Sequence, residues 1–134
     1  MANWNSSWQM NVGINHTPAY QVSGRPFASG GIDAQNAEKV IFPYVTRWVV
    51  INNHSTTGGA TLKVGYSESG VSGSNYFTVP SGSSTGRLEV KVSELWLYGD
   101  GCNGVDIAAG LTSIDNYRTS GSLGPSWSGS TGVG

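Results

Sequence analysis

The amino-acid sequence predicts an all-β fold, an antiparallel β-sandwich of jelly-roll type with extended N- and C-terminal arms. Segments rich in β-branched and aromatic residues alternate with turn segments about every 8–12 residues, which is typical of such folds. No segment shows the 3.6-residue period of an amphipathic helix. The chain has 134 residues, a length that suits one domain, and it contains no internal repeat.

Residues 1–37 are predicted to form an extended N-terminal arm. The segment is rich in Asn, Ser, Gly and Gln, and Pro18, Pro26 and the pair Gly30–Gly31 interrupt any long helix or strand. We expect only one edge strand here, over residues 19–22. The aromatic side chains of the arm are expected to dock onto the chain's own sheets or onto an adjacent subunit, and they are Trp4, Trp8, Tyr20 and Phe27.

Residues 38–114 are predicted to form the β-sandwich. Apolar and polar residues alternate with period 2 in much of this segment, as they do in strands with one buried face. Pro43 marks a bend or an edge position within the first two strand segments, because proline cannot donate to a strand ladder. Gly- and Ser-rich turns separate the other strands. The predicted strands cover residues 38–45, 46–52, 61–67, 75–79, 87–92, 94–98 and 105–111.

Trp48 and Trp96 lie in predicted strands, each on the face opposite the apolar residues that alternate with it. A large aromatic side chain on the outer face of a strand is either covered by an arm or exposed to a partner. We expect both tryptophans to contact an arm or a neighbouring subunit. The alternative is that a sugar ring stacks on them.

Residues 115–134 are predicted to form a C-terminal arm. The segment is rich in Gly and Ser, a composition that is typical of flexible linkers. Trp127 is a large apolar side chain within it. We therefore expect the arm to be anchored on a protein surface at two points, Trp127 and Val133.

The chain carries few charges. Charged residues make up 11% of it, against roughly 25% in an ordinary soluble domain. Its surface must therefore be covered with hydroxyls, amides and glycine backbone, which are less costly to desolvate than Lys or Glu. We interpret this composition as that of a protein covered by neighbouring proteins. The alternative is a secreted, loop-rich β protein.

Charge and composition also exclude several partners. The formal net charge is −1 and the seven Lys and Arg residues are spread evenly, so we expect no nucleic-acid binding. Cys102 is the only cysteine, which excludes an intrachain disulfide and a Cys-based metal site. No apolar run approaches the ~18 residues of a membrane span, and the N-terminus lacks the features of a signal peptide. We expect no membrane span and synthesis in the cytoplasm.

Residues of the types that commonly perform catalysis have no neighbours in the sequence that form a recognisable catalytic or metal-binding motif with them. His16 and His54 lie in predicted turns, without the neighbours of a metal-binding motif. The carboxylates of Glu68, Glu89 and Glu94 do not form an identifiable glycosidase pair. We therefore predict no catalytic residue, no metal site and no cofactor, and a protein that is not an enzyme.

Two short motifs resemble functional loops. Residues 82–86 (GSSTG) match G-x-S-x-G, but no helix follows to expose Ser84 above a sheet, so the segment is predicted to be a hairpin loop. Residues 100–111 resemble an acidic calcium loop, but Leu111 stands where a bidentate Glu is needed. Neither motif changes the prediction.

Several segments together resemble small virion structural proteins. They are residues 40–52, 62–67, 68–70 (ESG), 75–82 (NYFTVPSG), 90–97 and 105–111. In their order and in the V-P-S-G turn they are similar to β-sandwich minor capsid, cement or decoration subunits of tailed bacteriophages and large double-stranded DNA viruses. The resemblance covers residues 40–114. It implies a shell component without cofactor or active site, which reaches its neighbours through its arms.

The sequence therefore predicts a virion structural protein, made in the host cytoplasm and bound to a major capsid protein or to copies of itself. The residues expected to contact partners are Trp4, Trp8, Tyr20, Phe27, Trp48, Trp96 and Trp127. The alternative is a carbohydrate- or receptor-binding module of a phage tail or of a secreted surface protein, with glycan bound at Trp48 or Trp96. A hydrolase that uses Ser84 or Glu94 is a third class, for which the activating partners are missing.

Overall fold

The computed structural model describes residues 25–56 and 59–134, and within them the chain forms eight strands in two antiparallel four-strand sheets. The prediction of an all-β fold is confirmed. The strand predicted over residues 19–22 lies outside the described residues. The strands are β1 (Arg25–Ile32), β2 (Glu38–Ile41), β3 (Tyr44–Asn53), β4 (Leu62–Gly65), β5 (Tyr76–Val79), β6 (Ser83–Ser84), β7 (Glu94–Tyr98) and β8 (Val105–Asp115).

Each sheet joins strands that are distant in sequence. The first sheet has the order β1-β8-β3-β6, and the second has the order β2-β7-β4-β5. All neighbouring pairs are antiparallel. In the first sheet β8 is the shared partner of β1 and β3, so that Ala28, Ala108 and Val50 lie side by side in register. The hydrogen bonds of this sheet thus join β1, at the start of the described chain, to β8, near its end.

Both sheets contribute to one hydrophobic core. The first sheet buries Ile51 and Ile107 in it, and the second buries Leu62, Leu95 and Leu97. Each such side chain contributes about 1.5–3 kcal/mol to folding. Because side chains alternate along a strand, the buried face of each sheet determines which residues remain on its outer face.

Strand β1 corrects the boundary of the predicted N-terminal arm. Residues 25–32 are predicted from the sequence to belong to the arm, but they pair with β8 in the first sheet. The register shifts between Ser29 and Ile32, where the pair Gly30–Gly31 weakens the strand pattern in the sequence. Pairing with β8 outweighs this weak local preference, so residues 25–32 belong to the sheet and not to an arm.

Residues 87–92 keep the predicted alternation of burial but do not form the predicted strand. The backbone of this segment pairs with β3 at separate points: Val49 and Leu88 exchange two hydrogen bonds (2.9 and 2.8 Å), and the Thr46 amide donates to the carbonyl of Val92 (2.9 Å). Between these points the Thr46 hydroxyl donates to the carbonyl of Val90 (2.6 Å) and accepts from the amide of Val92 (3.1 Å), so a side chain interrupts the backbone ladder. The strand forms earlier instead: β6 lies in the predicted hairpin loop 82–86 and pairs with the end of β3.

One short helix, α1 (Glu68–Ser72), occupies a segment where the sequence predicts a turn. Five residues are too few to show a helical period. Its N-cap is Ser67, whose hydroxyl accepts a hydrogen bond from the amide of Gly70 (2.9 Å). Val71 is buried against the second sheet at Gly65, where a Cβ would lie 3.0 Å from the Val71 nitrogen. In the described part of the chain, no helix is long and apolar enough to cross a membrane.

Candidate functional site

Those predicted partner-binding residues that the structure describes do not converge on one site. Trp4, Trp8 and Tyr20 lie outside the described residues. Phe27 belongs to β1 and packs against the core, where its ring meets the edge of the Phe42 ring at a centroid distance of 5.0 Å. This packing corrects the assignment of Phe27 to an arm. Trp48, Trp96 and Trp127 lie in three other places.

The outer face of the first sheet carries a patch of uncharged residues that includes Trp48. We call it the Trp48 face. Two cross-strand rows define it, Pro26–Gly110–Trp48 and Ala28–Ala108–Val50. The residues that alternate with them in β3 and β8, such as Val49 and Ala109, are buried in the core, as predicted for the flanks of Trp48. The result is a patch of six uncharged residues, bordered by Arg87 beside Trp48 and by Asp106, which pairs with His54.

Glycine at position 110 lets the Trp48 indole approach the sheet closely. A Cβ at Gly110 would lie 2.4 Å from the Nε1 atom of Trp48 and 3.0 Å from its Cδ1 atom. On the exposed side, the guanidinium of Arg87 lies 5.9 Å from the centroid of the indole ring. Trp48 is half-buried by these contacts within its own chain. The Trp48 indole therefore lies against the sheet and does not extend outward from it.

Replacing Gly110 with alanine is expected to push the Trp48 indole away from the sheet, because the new Cβ would lie 2.4–3.0 Å from three atoms of the ring. We expect a loss of about 1–3 kcal/mol in the free energy of unfolding. The measurements are the indole N–H resonance of Trp48 and the urea midpoint. Gly86→Ala is the control, since no atom lies within 4 Å of a Cβ there. An unmoved Trp48 resonance would contradict the prediction.

A second surface lies beside Trp96 on the outer face of the second sheet. It is a groove of about 440 Å³. Residues of β2, β7 and α1 form one wall, and residues of the C-terminal segment form the other. We call it the Trp96 groove, and its lining includes Lys39, Glu68, Glu94, Trp96, Leu123 and Pro125.

Two charged side chains contact Trp96 in the groove. The indole Nε1–H donates to Oε2 of Glu94 (3.0 Å), and the ammonium of Lys39 lies 5.8 Å from the ring centroid. Cross-strand pairing places Lys39 directly opposite Trp96. Glu94 is only 7% exposed, although it is ionisable. An aromatic ring, a buried carboxylate and an ammonium thus meet at one place.

The C-terminal segment, residues 116–134, folds back on the chain. It begins with a 3₁₀ helix (Asn116–Thr119) and then crosses the end of β7, where the Ser126 hydroxyl donates to the carbonyl of Glu94 (2.9 Å). Farther along, the Ser67 hydroxyl donates to the carbonyl of Val133 (2.8 Å). The predicted C-terminal arm is therefore docked on its own second sheet.

Trp127 anchors this segment. Its indole N–H donates to the carbonyl of Lys91, and its ring packs against the core. Ser126 and Trp127 have φ angles of 56° and 64°, in the left-handed region. That conformation costs about 1–2 kcal/mol for each non-glycine residue, so the contacts of the segment must exceed this cost.

The other candidate reactive groups are held in structural contacts. His54 Nε2 lies 2.6 Å from Oδ2 of Asp106. The backbone amide of Gly31 donates to Oδ1 of Asp106 (2.9 Å), and this hydrogen bond, together with His54, lowers the pKa of the Asp106 carboxyl. Burial raises the pKa of the Cys102 thiol. The Ser84 hydroxyl donates to the carbonyl of Thr85 (2.9 Å), and no base contacts it among the described residues.

Metal binding has no support in the geometry either. Within residues 25–56 and 59–134, no three His, Cys, Asp or Glu side chains lie close enough together to hold an ion. Glu89 is paired with Arg87 at 3.2 Å, whereas Glu68 and Glu94 both line the Trp96 groove. Sequence reasoning picked out Trp96 and Glu94 separately but missed Lys39 as their neighbour. The information that places Lys39 beside Trp96 lies in the pairing of β2 with β7. The alternation pattern of a single strand does not contain this information.

Known proteins do not identify the chain. No protein-family model, curated protein or solved structure matches it. The strand order and the two surfaces are the observations that bear on the function.

Proposed function

We propose that this protein is a virion structural protein with a jelly-roll β-sandwich fold, a minor capsid, cement or decoration subunit. It binds a major capsid protein or copies of itself through the Trp48 face. It is made in the host cytoplasm and acts in the virion, and the proposal includes no catalytic step, cofactor or nucleic acid.

The strand order supports the jelly-roll part of the proposal. Four pairs join β1 with β8, β2 with β7, β3 with β6 and β4 with β5. This pairing results when one long antiparallel hairpin, folded between β4 and β5, is rolled into two sheets. The jelly roll is an architecture of viral capsid domains and of lectin domains.

The Trp48 face is the observation that carries the structural function. Two neighbouring rows of the sheet place six uncharged residues side by side, among them Ala28, Ala108 and Gly110. Small apolar side chains cost little to desolvate, and a half-buried tryptophan supplies contact area without losing much side-chain entropy. A specific contact buries about 800 Å² on each partner, so the proposed contact extends from this face to the residues around it.

Introducing a charge at the centre of the face tests the proposal. Ala108 is exposed, so Ala108→Glu is expected to leave the fold intact. A carboxylate buried without a partner costs several kcal/mol, so we expect occupancy on the particle to fall by about tenfold or more. Occupancy would be measured by quantitative mass spectrometry on gradient-purified particles of the virus that encodes the chain.

The matched control is Ala37→Glu, which adds the same charge at an exposed loop position. We expect this variant to reach wild-type occupancy. Equal occupancy of the two variants would remove the Trp48 face from the proposal, and particles that lack the wild-type chain altogether would overturn the virion function.

A further inference from the structure

Glu94 has an unusual position for a carboxylate. It is 7% exposed, and its Oε2 atom accepts one hydrogen bond, from the Trp96 indole. The ion pairs of the described residues, His54–Asp106 and Arg87–Glu89, do not include Glu94. A buried carboxylate has room for about four hydrogen bonds, so most of its acceptor capacity is open to whatever enters the groove.

We propose that the Trp96 groove is a saccharide-binding site that takes a pyranose. This function goes beyond assembly and uses the other sheet. The apolar face of the sugar ring stacks on the Trp96 indole, and its hydroxyls donate to the carboxylates of Glu94 and Glu68. Lys39 donates to a ring or hydroxyl oxygen. A volume of about 440 Å³ lies within the ordinary range for small-molecule sites, about 300–1,000 Å³.

The lining favours a sugar over other ligands. Ser69 and Ser72 of α1 add hydroxyl groups to the two carboxylates and the ammonium, so the groove offers many hydrogen-bonding groups and one large aromatic ring. An arginine or lysine side chain of a partner would be attracted by the two carboxylates, but the repulsion from Lys39 would offset part of that attraction. Calcium needs six to eight oxygen ligands, and the same ammonium opposes it. A neutral polyol satisfies the carboxylates without bringing in a second charge.

The C-terminal segment gives the groove its depth. Leu123 and Pro125 form the wall opposite α1, and the Ser126 hydroxyl bonds to the backbone of Glu94 itself. Leu123 is 78% exposed, which places an apolar side chain at the rim. The contacts of Trp127 thus hold a wall of the proposed site in place.

The experiment is an NMR titration of the full ¹⁵N-labelled chain with the methyl glycosides of glucose, galactose and N-acetylglucosamine. Because the Trp96 indole N–H is bonded to Glu94, its resonance reports on the site directly. We expect at least one glycoside to shift this resonance with an affinity in the millimolar range, while the indole resonances of Trp48 and Trp127 stay in place.

Glu94→Gln is expected to weaken binding by about tenfold, since the hydrogen bonds lose their charged acceptor. The matched control is Glu89→Gln, at an exposed residue outside the groove, which should bind as the wild type does. Lys39→Ala changes an exposed side chain and should also weaken binding, so the proposal is testable even if Glu94→Gln fails to fold.

Three results would overturn the proposal. They are no shift of the Trp96 resonance with any glycoside, equal binding by Glu94→Gln and wild type, and a shift with N-acetylarginine amide but with no glycoside. The last would identify the groove as a docking site for a basic side chain. Particle occupancy of Glu94→Gln should match that of the wild type, so failure here is distinguishable from failure of the assembly function.

Discussion

Replacing Asn53 with aspartate is expected to destabilise the protein by about 3–5 kcal/mol, because it leaves a buried charge without a partner. Asn53 is 1% exposed at the end of β3. Its Nδ2 group donates to the carbonyls of Ala60 (3.1 Å) and Val79 (2.9 Å), and its Oδ1 atom accepts from the Ser55 hydroxyl (2.7 Å). Aspartate would turn a carboxylate oxygen toward two carbonyl oxygens in the interior.

Urea unfolding at pH 7 measures this effect, with Asn36→Asp as the control at an exposed turn position. Burial should raise the pKa of the new carboxyl in the folded state. A raised folded pKa means that the folded state retains a proton that the unfolded state releases, so the variant should be least destabilised below about pH 4 and lose stability as the pH rises. A free energy of unfolding within about 1 kcal/mol of the wild type at pH 7 would contradict the prediction that the buried hydrogen bonds of Asn53 stabilise the fold.

Removing the Trp127 side chain is expected to release the C-terminal segment. Trp127→Ala loses the hydrogen bond to Lys91 and the packing of a half-buried ring, which should cost about 2–3 kcal/mol. Trp127→Gly should cost about 1 kcal/mol less than Trp127→Ala, because glycine adopts the φ of 64° without strain. This order is the reverse of the usual one in regular secondary structure.

Urea unfolding and limited proteolysis followed by mass spectrometry would measure both effects. The expected cleavage in the variants lies within residues 120–134. Leu123→Ala is the control, because it removes an apolar side chain that is 78% exposed in the same segment. Wild-type stability of Trp127→Ala would mean that the indole is available to a partner, as the sequence alone predicts.

The two proposed sites lie on the outer faces of different sheets. The Trp48 face belongs to β1, β8 and β3, and Trp96 belongs to β7 of the other sheet. A subunit attached to a particle through the Trp48 face would keep its Trp96 groove open. The pair of variants Ala108→Glu and Glu94→Gln therefore separates assembly from saccharide binding.

The sequence was informative wherever the deciding interactions are local. Alternation placed Trp48 and Trp96 on outer faces, and it located β7 at residues 94–98 without error. Proline at position 43 lies between β2 and β3, which fits the bend that its missing N–H group predicts, although the predicted strand boundary was at residues 45 and 46. Period-2 burial and turn chemistry depend on neighbours in the chain, so they can be read without coordinates.

The tertiary structure alone decided the remaining features. The pairing of β1 with β8, the insertion of the Thr46 hydroxyl beside residues 87–92 and the docking of Trp127 all depend on contacts between distant segments. Local composition argued for an arm at residues 25–32 and a strand at residues 87–92, and long-range packing outweighed both preferences. For the C-terminal segment the sequence predicted an anchor at Trp127, but only the fold shows which surface receives it. By itself, then, the sequence determined the fold class and the outward tryptophans. The neighbours of Trp96, including Lys39, were decided by which strands pair, and strand pairing is a property of the whole fold.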